Sequence, residues 1–209
     1  MLTIRPLRSE DCATLAAAHL ANLKSSFCET AADELLTLYY QAIASQKGAI
    51  GFVAIEDESF AGFVCGIWDR EVLKRVILRN WGRLLLAATR YFLKVPRHTL
   101  ALLLRFFKPH NTHSISVDGY ELRPIVVLPQ FRGRGVAHSL VYRLLTDAQH
   151  RGFHNVALLT ESDNAAAVRF YESVGFHNEE TIRASGHTLH LFRHSFEPKE
   201  PNRSNIRDE

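Results

Sequence analysis

Cysteine is scarce. There are three, Cys12, Cys28 and Cys65, among 209 residues. An odd and sparse set of thiols argues against a disulfide framework and suits a reducing compartment, so the expected location is cytoplasmic. Long apolar runs are missing too. None approaches the roughly 20 residues that a bilayer-spanning helix needs. Met1-Leu2-Thr3-Ile4-Arg5-Pro6 lacks the apolar core of a secretory leader. Charge of one sign is not in large excess: 25 Lys and Arg against 22 Asp and Glu leave +3, which by itself selects no class of partner. Metal-binding patterns are absent, and no metal is expected. His187, His190 and His194 come nearest, but on a strand residues 187 and 190 point to opposite faces and do not share an ion easily. No Ser-His-Asp or Cys-His grouping stands in a motif, so Cys65 and Ser139 read as packing residues. There is no internal repeat. What remains is an ordinary globular composition, 46% hydrophobic and 22% charged, enough for one domain with an insertion.

One stretch organises the chain, Pro124 to Ser139, PIVVLPQFRGRGVAHS. It begins as an apolar β-like run, Ile125 to Leu128, and breaks at Pro129, which cannot donate to a sheet ladder. It then turns through Gln130-Phe131-Arg132-Gly133-Arg134-Gly135 into helical periodicity. A strand, a glycine turn and a helix start together make an anion site, because the first N–H groups of a helix lack partners and the peptide dipoles align there. Gly133 and Gly135 permit positive φ and a close approach of backbone to a pyrophosphate; Arg132 and Arg134 add positive charge. A triphosphate loop would continue into Lys-Ser or Lys-Thr, and a dinucleotide fingerprint would need a glycine or alanine where His138 stands. Neither fits.

The remaining pattern, Gln-x-x-Gly-x-Gly followed by a small residue, resembles the acetyl-CoA pyrophosphate loop of the GCN5-related N-acetyltransferase (GNAT) family. A second stretch, Asn164-Ala165-Ala166-Ala167-Val168-Arg169-Phe170-Tyr171-Glu172-Ser173-Val174-Gly175-Phe176, is similar to that family's second signature. Two motifs in order and at family-like separation are far more specific than one. The resemblance is strong from about Glu121 to the C-terminal hairpin, and rests on element order alone for Met1 to Trp68.

The chain in order supports it. Leu2–Leu7 reads as a strand. Ser9 reads as the cap of a helix through Leu23, and Thr30 as the cap of a second helix ended by Gly48. Ile50–Glu56 and Phe60–Trp68 read as a hairpin across Asp57-Glu58-Ser59. Tyr120–Leu128 feeds the glycine loop, and Val136–Arg151 is amphipathic. Asn155–Thr160 reads as a buried parallel strand, and a helix capped by Asp163 or Asn164 then runs to Val174. Phe176–Ala184 and Thr188–Phe196 form the last hairpin. The resemblance implies an α/β (α+β) fold of the acyl-CoA N-acyltransferase type: a mixed, mostly antiparallel sheet of about seven strands flanked by helices, with an inserted helical pair. The expected domain is 1–196, with the insertion at 69–113; residues 197–209 read as a disordered tail.

The resemblance also assigns chemistry. It implies an N-acetyltransferase that moves an acetyl group from acetyl-CoA, its co-substrate, to a primary amine by direct attack in a ternary complex. Val126 and Val127 match positions where a bulge splays two strands, so that pantetheine pairs like an extra strand and an N–H polarises the thioester carbonyl. The backbone of Arg132, Gly133, Arg134, Gly135, Val136 and Ala137 matches the pyrophosphate cradle. Asn164 matches a residue on the pantetheine arm, with helix capping as the alternative. Tyr171 matches the general acid that protonates the leaving thiolate. Glu121 matches a general base; strand alternation puts it on one face with Arg123, Ile125 and Val127, and an ion pair with Arg123 is its plain role. Phe27, Cys28 and Tyr40 are candidates for the acceptor wall, with core packing as the alternative. A catalytically silent acyl-CoA-binding module on the same fold is the competing reading.

Residues 69–110 differ in composition, with ten basic against two acidic side chains, a balance of +8. Glu71–Val95 reads as a helix, and Arg79, Arg83, Arg90, Lys94 and Arg97 fall in a narrow basic stripe on an otherwise apolar surface. Pro96 breaks it, and a second apolar helix follows over Arg97–Phe107. Such a surface needs a cover: the cleft of a small-molecule or protein amine acceptor, a second subunit in a homodimer, or an anionic membrane surface met through 70–108. Its apolar faces and the lack of a reading motif argue against nucleic acid.

Overall fold

The computed structural model describes residues 1–23, 29–69, 71–79, 81–82, 119–184 and 187–196. Their centre is one seven-stranded sheet in the order β1-β2-β3-β4-β5-β7-β6. The strands are β1 (Leu2–Pro6), β2 (Ala49–Glu56), β3 (Ser59–Ile67), β4 (Tyr120–Val127), β5 (Asn155–Glu161), β6 (His177–Ala184) and β7 (His187–Ser195). Every neighbouring pair is antiparallel except β4 and β5, which run parallel. The described helices are α1 (Cys12–Asn22), α2 (Glu29–Ser45), α3 (Glu71–Arg79), α4 (Val136–His150) and α5 (Ala165–Ser173).

Alternation along the strands builds two cores. On β2 and β3, Phe52 and Val64 face one way, into a core with Leu140 and Leu144 of α4 and Tyr171 of α5. Val53 and Phe63 face the other way, into a core with Leu15 and Ala16 of α1 and Tyr40 and Ile43 of α2. Each helix thus covers one sheet face with its apolar stripe, the three-layer solution expected for such a pattern.

Several local readings change. The first hairpin turns on two residues rather than three: Asp57 and Glu58 both take positive φ, 49° and 65°, and Ser59 already pairs with Glu56. That is the twist a two-residue hairpin needs. Ser9 does not cap α1. It opens a short 3-10 turn, Ser9–Asp11, whose cap is Arg8. Asp11 closes that turn by accepting from Arg8 N at 2.9 Å, and both its oxygens are held at 2.7 Å by Arg5. Those bonds hold the Asp11 carboxyl below its ordinary range. In β5, Leu159 is 37% exposed, because the strand leaves β4 before that point.

The largest correction lies in β4. Cys65 pairs with Arg123 and Val64 with Ile125, so Pro124 is an extra residue without a partner. A proline fits there because the bulged position makes no ladder bond. The bulge reverses the alternation. Tyr120, Leu122, Ile125 and Val127 pack towards α4, whereas Glu121 and Arg123 share the opposite face with Val126, towards α1 and α2. Glu121 therefore does not share a face with Ile125 and Val127.

Of the expected insertion, α3 and residues 81–82 are described. Val72 is buried against α2, while Leu78 and Trp81 are 77% and 65% exposed. The second inserted helix, the C-terminal tail at 197–209, and Phe27 and Cys28 lie outside the described residues. Among the described residues no helix is long and apolar enough to cross a membrane.

Candidate active site

The site is made by strands that separate. β4 and β5 pair only at Tyr120–Val156 and Glu121–Ala157. Beyond them, β4 stays with β3 while β5 stays with β7 as far as Glu161, so a gap opens through the sheet. Leu128 N donates to Ala61 O at 2.9 Å. Alternation then puts Val126, opposite Phe63, in the ladder with β3, and turns the N–H and C=O of Val127 into the gap. Gly62 allows this close approach, since a Cβ there would lie 2.4 Å from Val126 O. A cleft of about 250 Å³ fills the opening, bounded by Asn22 and Leu23 at the end of α1, Ile125 to Val127 of β4, Arg132, Ala137 and Phe170.

The glycine turn stands at the head of this cleft. Gly133 and Gly135 have φ of 75° and 78°, and a Cβ on either would meet nothing within 4 Å. Their hydrogens face open space, as a backbone that receives a ligand requires. The N–H of Arg132 is engaged by Pro129 O at 3.3 Å, which leaves the cradle to Gly133–Ala137. The first bond of α4 runs from Ser139 N to Gly135 O at 3.0 Å, so the N–H groups of Val136, Ala137 and His138 form its open first turn. The two arginines diverge. Arg134 leans on the Phe131 ring at 5.7 Å and reaches Glu56 at 3.4 Å. Arg132 crosses the cleft mouth, donating to Val127 O and to Asn22 Oδ1, both at 3.0 Å.

Tyr171 lies beside the cleft, behind Phe170. It is 8% exposed and packed against Phe170, Phe176 and Phe192 at ring distances of 5.3, 5.8 and 6.1 Å. Among the described residues none hydrogen-bonds its hydroxyl. Burial pushes that hydroxyl up to about 12, so it stays protonated at neutral pH. Asn164 is the N-cap of α5, accepting from Ala167 N at 3.1 Å, which commits its oxygen and leaves its amide N–H₂.

Glu121 sits on the far face of the sheet from the Val127 side chain. Arg123 grips both its oxygens, each at 3.1 Å. Tyr39 of α2 lies within the field of this pair, and burial keeps its hydroxyl protonated. Tyr40 lines nothing: it is fully buried, edge-on to Phe63 at 5.2 Å, with its hydroxyl 2.7 Å from His19 Nδ1. Among the described residues no three metal-ligating side chains converge; His190 is held by Thr181 at 2.9 Å and His194 by Gly175 O at 2.9 Å.

Asn22, Leu23 and Phe170 were not anticipated as cleft residues. Phe170 stood next to Tyr171 in the second motif. Asn22 and Leu23 carried only the signal of a helix end, because what recruits them is the break in the sheet more than a third of the chain further on.

The model of the acetyltransferase (GNAT) family matches residues 17–176. This chain belongs to that family. The ribosomal protein bS18-alanine N-acetyltransferase of Salmonella typhimurium is 39% identical over 69 residues, which are 33% of this chain and 46% of that protein. The chain spans less than half the length of the curated relatives it matches. Among solved structures, the ribosomal-protein-S18-alanine N-acetyltransferase of Escherichia coli superposes with a TM-score of 0.61 at 14% identity, covering 97% of this chain and 98% of that one. NAA60 of Arabidopsis thaliana in complex with acetyl-CoA gives 0.59 at 14% identity, covering 93% and 98%. These likenesses show the GNAT fold. The expectation of a mixed, mostly antiparallel sheet of seven strands between helices is met.

Proposed function

We propose that this GNAT chain is an N-acetyltransferase that uses acetyl-CoA and acetylates a primary amine by direct attack in a ternary complex. One observation carries the reading: the opening between β4 and β5 turns the N–H and C=O of Val127 into a cleft headed by a glycine turn at a helix start. A pantetheine arm has amides to pair with such a strand edge, and its pyrophosphate fits the cradle of Gly133–Ala137. Asn164 reaches the arm with the amide N–H₂ that its cap leaves over.

The amine enters from the face of α1 and α2, opposite the glycine turn. Its nitrogen bonds to the acetyl carbon as the C–S bond breaks. Val127 N–H donates to the carbonyl oxygen as negative charge builds there, a donor fixed in place by the strand. Tyr171 gives its proton to the departing thiolate; burial keeps its hydroxyl protonated at neutral pH, so the proton is there to give. Glu121, from its place in the Arg123 fork, takes the proton that the acceptor's ammonium loses, directly or through water, and the neutral amine so formed is the nucleophile. The relatives named above put protein α-amines first among the acceptors to try, beside amino sugars and polyamines.

The test is release of free thiol from acetyl-CoA with the purified chain across these amine classes. Amine-dependent release supports the reading. Tight CoA binding without transfer to any amine would instead mark a silent acyl-CoA-binding module.

A further inference from the structure

Among the described residues, the side chain of Arg132 crosses the cleft. Arg132 follows the short helix Pro129–Phe131 in extended backbone, with φ −69° and ψ 152°. Its Nε donates to Val127 O and its Nη2 to Asn22 Oδ1, each at 3.0 Å. Val127 O is the carbonyl that the separation of β4 from β5 turns into the gap. Asn22 is the last residue of α1, anchored in turn by its Nδ2 on Ala18 O at 2.9 Å. One guanidinium thus occupies the cleft-facing acceptor of β4 and ties the end of α1 to it.

A ligand that pairs with β4 as an added strand needs the space that this side chain crosses. An anion seated at Gly133 also competes for its charge, since a guanidinium binds a pyrophosphate oxygen more strongly than a neutral carbonyl or amide. The two arrangements compete, because the Nε–Nη2 edge that bonds Val127 O and Asn22 Oδ1 cannot at the same time bond an anion at Gly133.

We propose that Arg132 and Asn22 form a displaceable strut across the acyl-donor slot. Entry of a pantetheine pyrophosphate lifts the guanidinium from Val127 O, transfers it to the anion and unties the end of α1. The inference rests on the function proposed above. Asn22 is then a positioning residue that opposes donor binding in the free chain, not a ligand of the donor. The affinity measured for the whole chain is lower than that of the opened slot, by the fraction of molecules in which the strut is down.

CoA itself is the probe, with affinity measured by calorimetry at one salt concentration in a double-mutant cycle. Asn22→Ala removes one anchor of the strut and is expected to tighten binding about threefold to tenfold, the worth of one such hydrogen bond. In the Arg132→Ala background the same change is expected to do nothing. Arg132→Lys keeps the charge but lacks the fork that spans two acceptors, so it should tighten binding as Asn22→Ala does; it also serves if Asn22→Ala fails to fold. Weaker or unchanged binding in Asn22→Ala, or an equal change in both backgrounds, overturns the strut while leaving the proposed function standing. Absence of CoA binding by the unaltered chain overturns both.

Discussion

On the proposed function Gly133 serves binding and Tyr171 serves chemistry, and single substitutions should separate the two. Gly133 combines φ of 75° with open space where a side chain would begin. In Gly133→Val a β-branched residue meets a backbone conformation it rarely adopts, and its methyls fill the cradle. CoA affinity should fall by at least about tenfold, the equivalent of roughly 1.4 kcal/mol, and titration calorimetry reads it. Tyr171→Phe keeps the ring in its aromatic nest and removes a hydroxyl that no described residue engages. The melting temperature and CoA affinity should hardly move, while turnover falls by about 10²–10⁴-fold, the usual worth of general acid help. Unchanged turnover would show that water protonates the thiolate. The turn at Gly133 and the helix of Tyr171 were legible in the sequence, because a glycine turn and a Phe-Tyr-x-x-x-Gly-Phe run announce themselves within a dozen positions. The face of Glu121 was not, since a single bulged proline inverts a period-two argument.

At the scale of elements, α1 and α2 are held together by a contact that senses pH. His19 is half-buried and its Nδ1 lies 2.7 Å from the hydroxyl of Tyr40. Burial lowers the proton affinity of the ring below its ordinary value of 6.5, and burial also keeps Tyr40 protonated, so the hydroxyl donates and the neutral ring accepts. The unfolded chain binds a proton here at a higher pH than the folded one. Stability from this pair is therefore complete above pH 6.5 and is lost as pH falls through the folded value. Thermal unfolding followed from pH 8 to pH 5 should show that loss. Replacing His19 by Gln, which offers an acceptor without titrating, should flatten the same part of the profile. An identical pH profile in the variant would show that other groups set it. Helix order and hairpins could be read from periodicity and turn residues. The short caps could not, because Asp11, Arg5 and Arg8 come together only once β1 is in place.

For the whole molecule, the sequence led to the right sheet through two motifs of about thirty residues together, and composition alone would have led only to a globular domain. The resemblance placed a splay of two strands at Val126 and Val127, but not the residue at which pairing stops, which the structure puts after Glu121 and Ala157. A ligand that binds only the folded chain raises its melting point by mass action, by about 2.7 kcal/mol at a hundredfold excess over Kd. Saturating CoA should therefore raise the melting temperature by roughly 5–10 °C for a domain of this size. Gly133→Val should lose most of that rise, and a full rise in the variant would move the ligand elsewhere.

The separation of β4 from β5 also sets a timescale for individual amides. Val126 N–H lies in the ladder with β3 and Leu128 N–H is bonded to Ala61 O, while Val127 N–H between them faces the gap. In hydrogen–deuterium exchange the free chain should show two slow sites flanking one fast one, a contrast that local opening alone would blur. Filling the gap should slow the middle amide to match its neighbours. The donor would then be legible as a change at a single backbone nitrogen, before any acetyl group has moved.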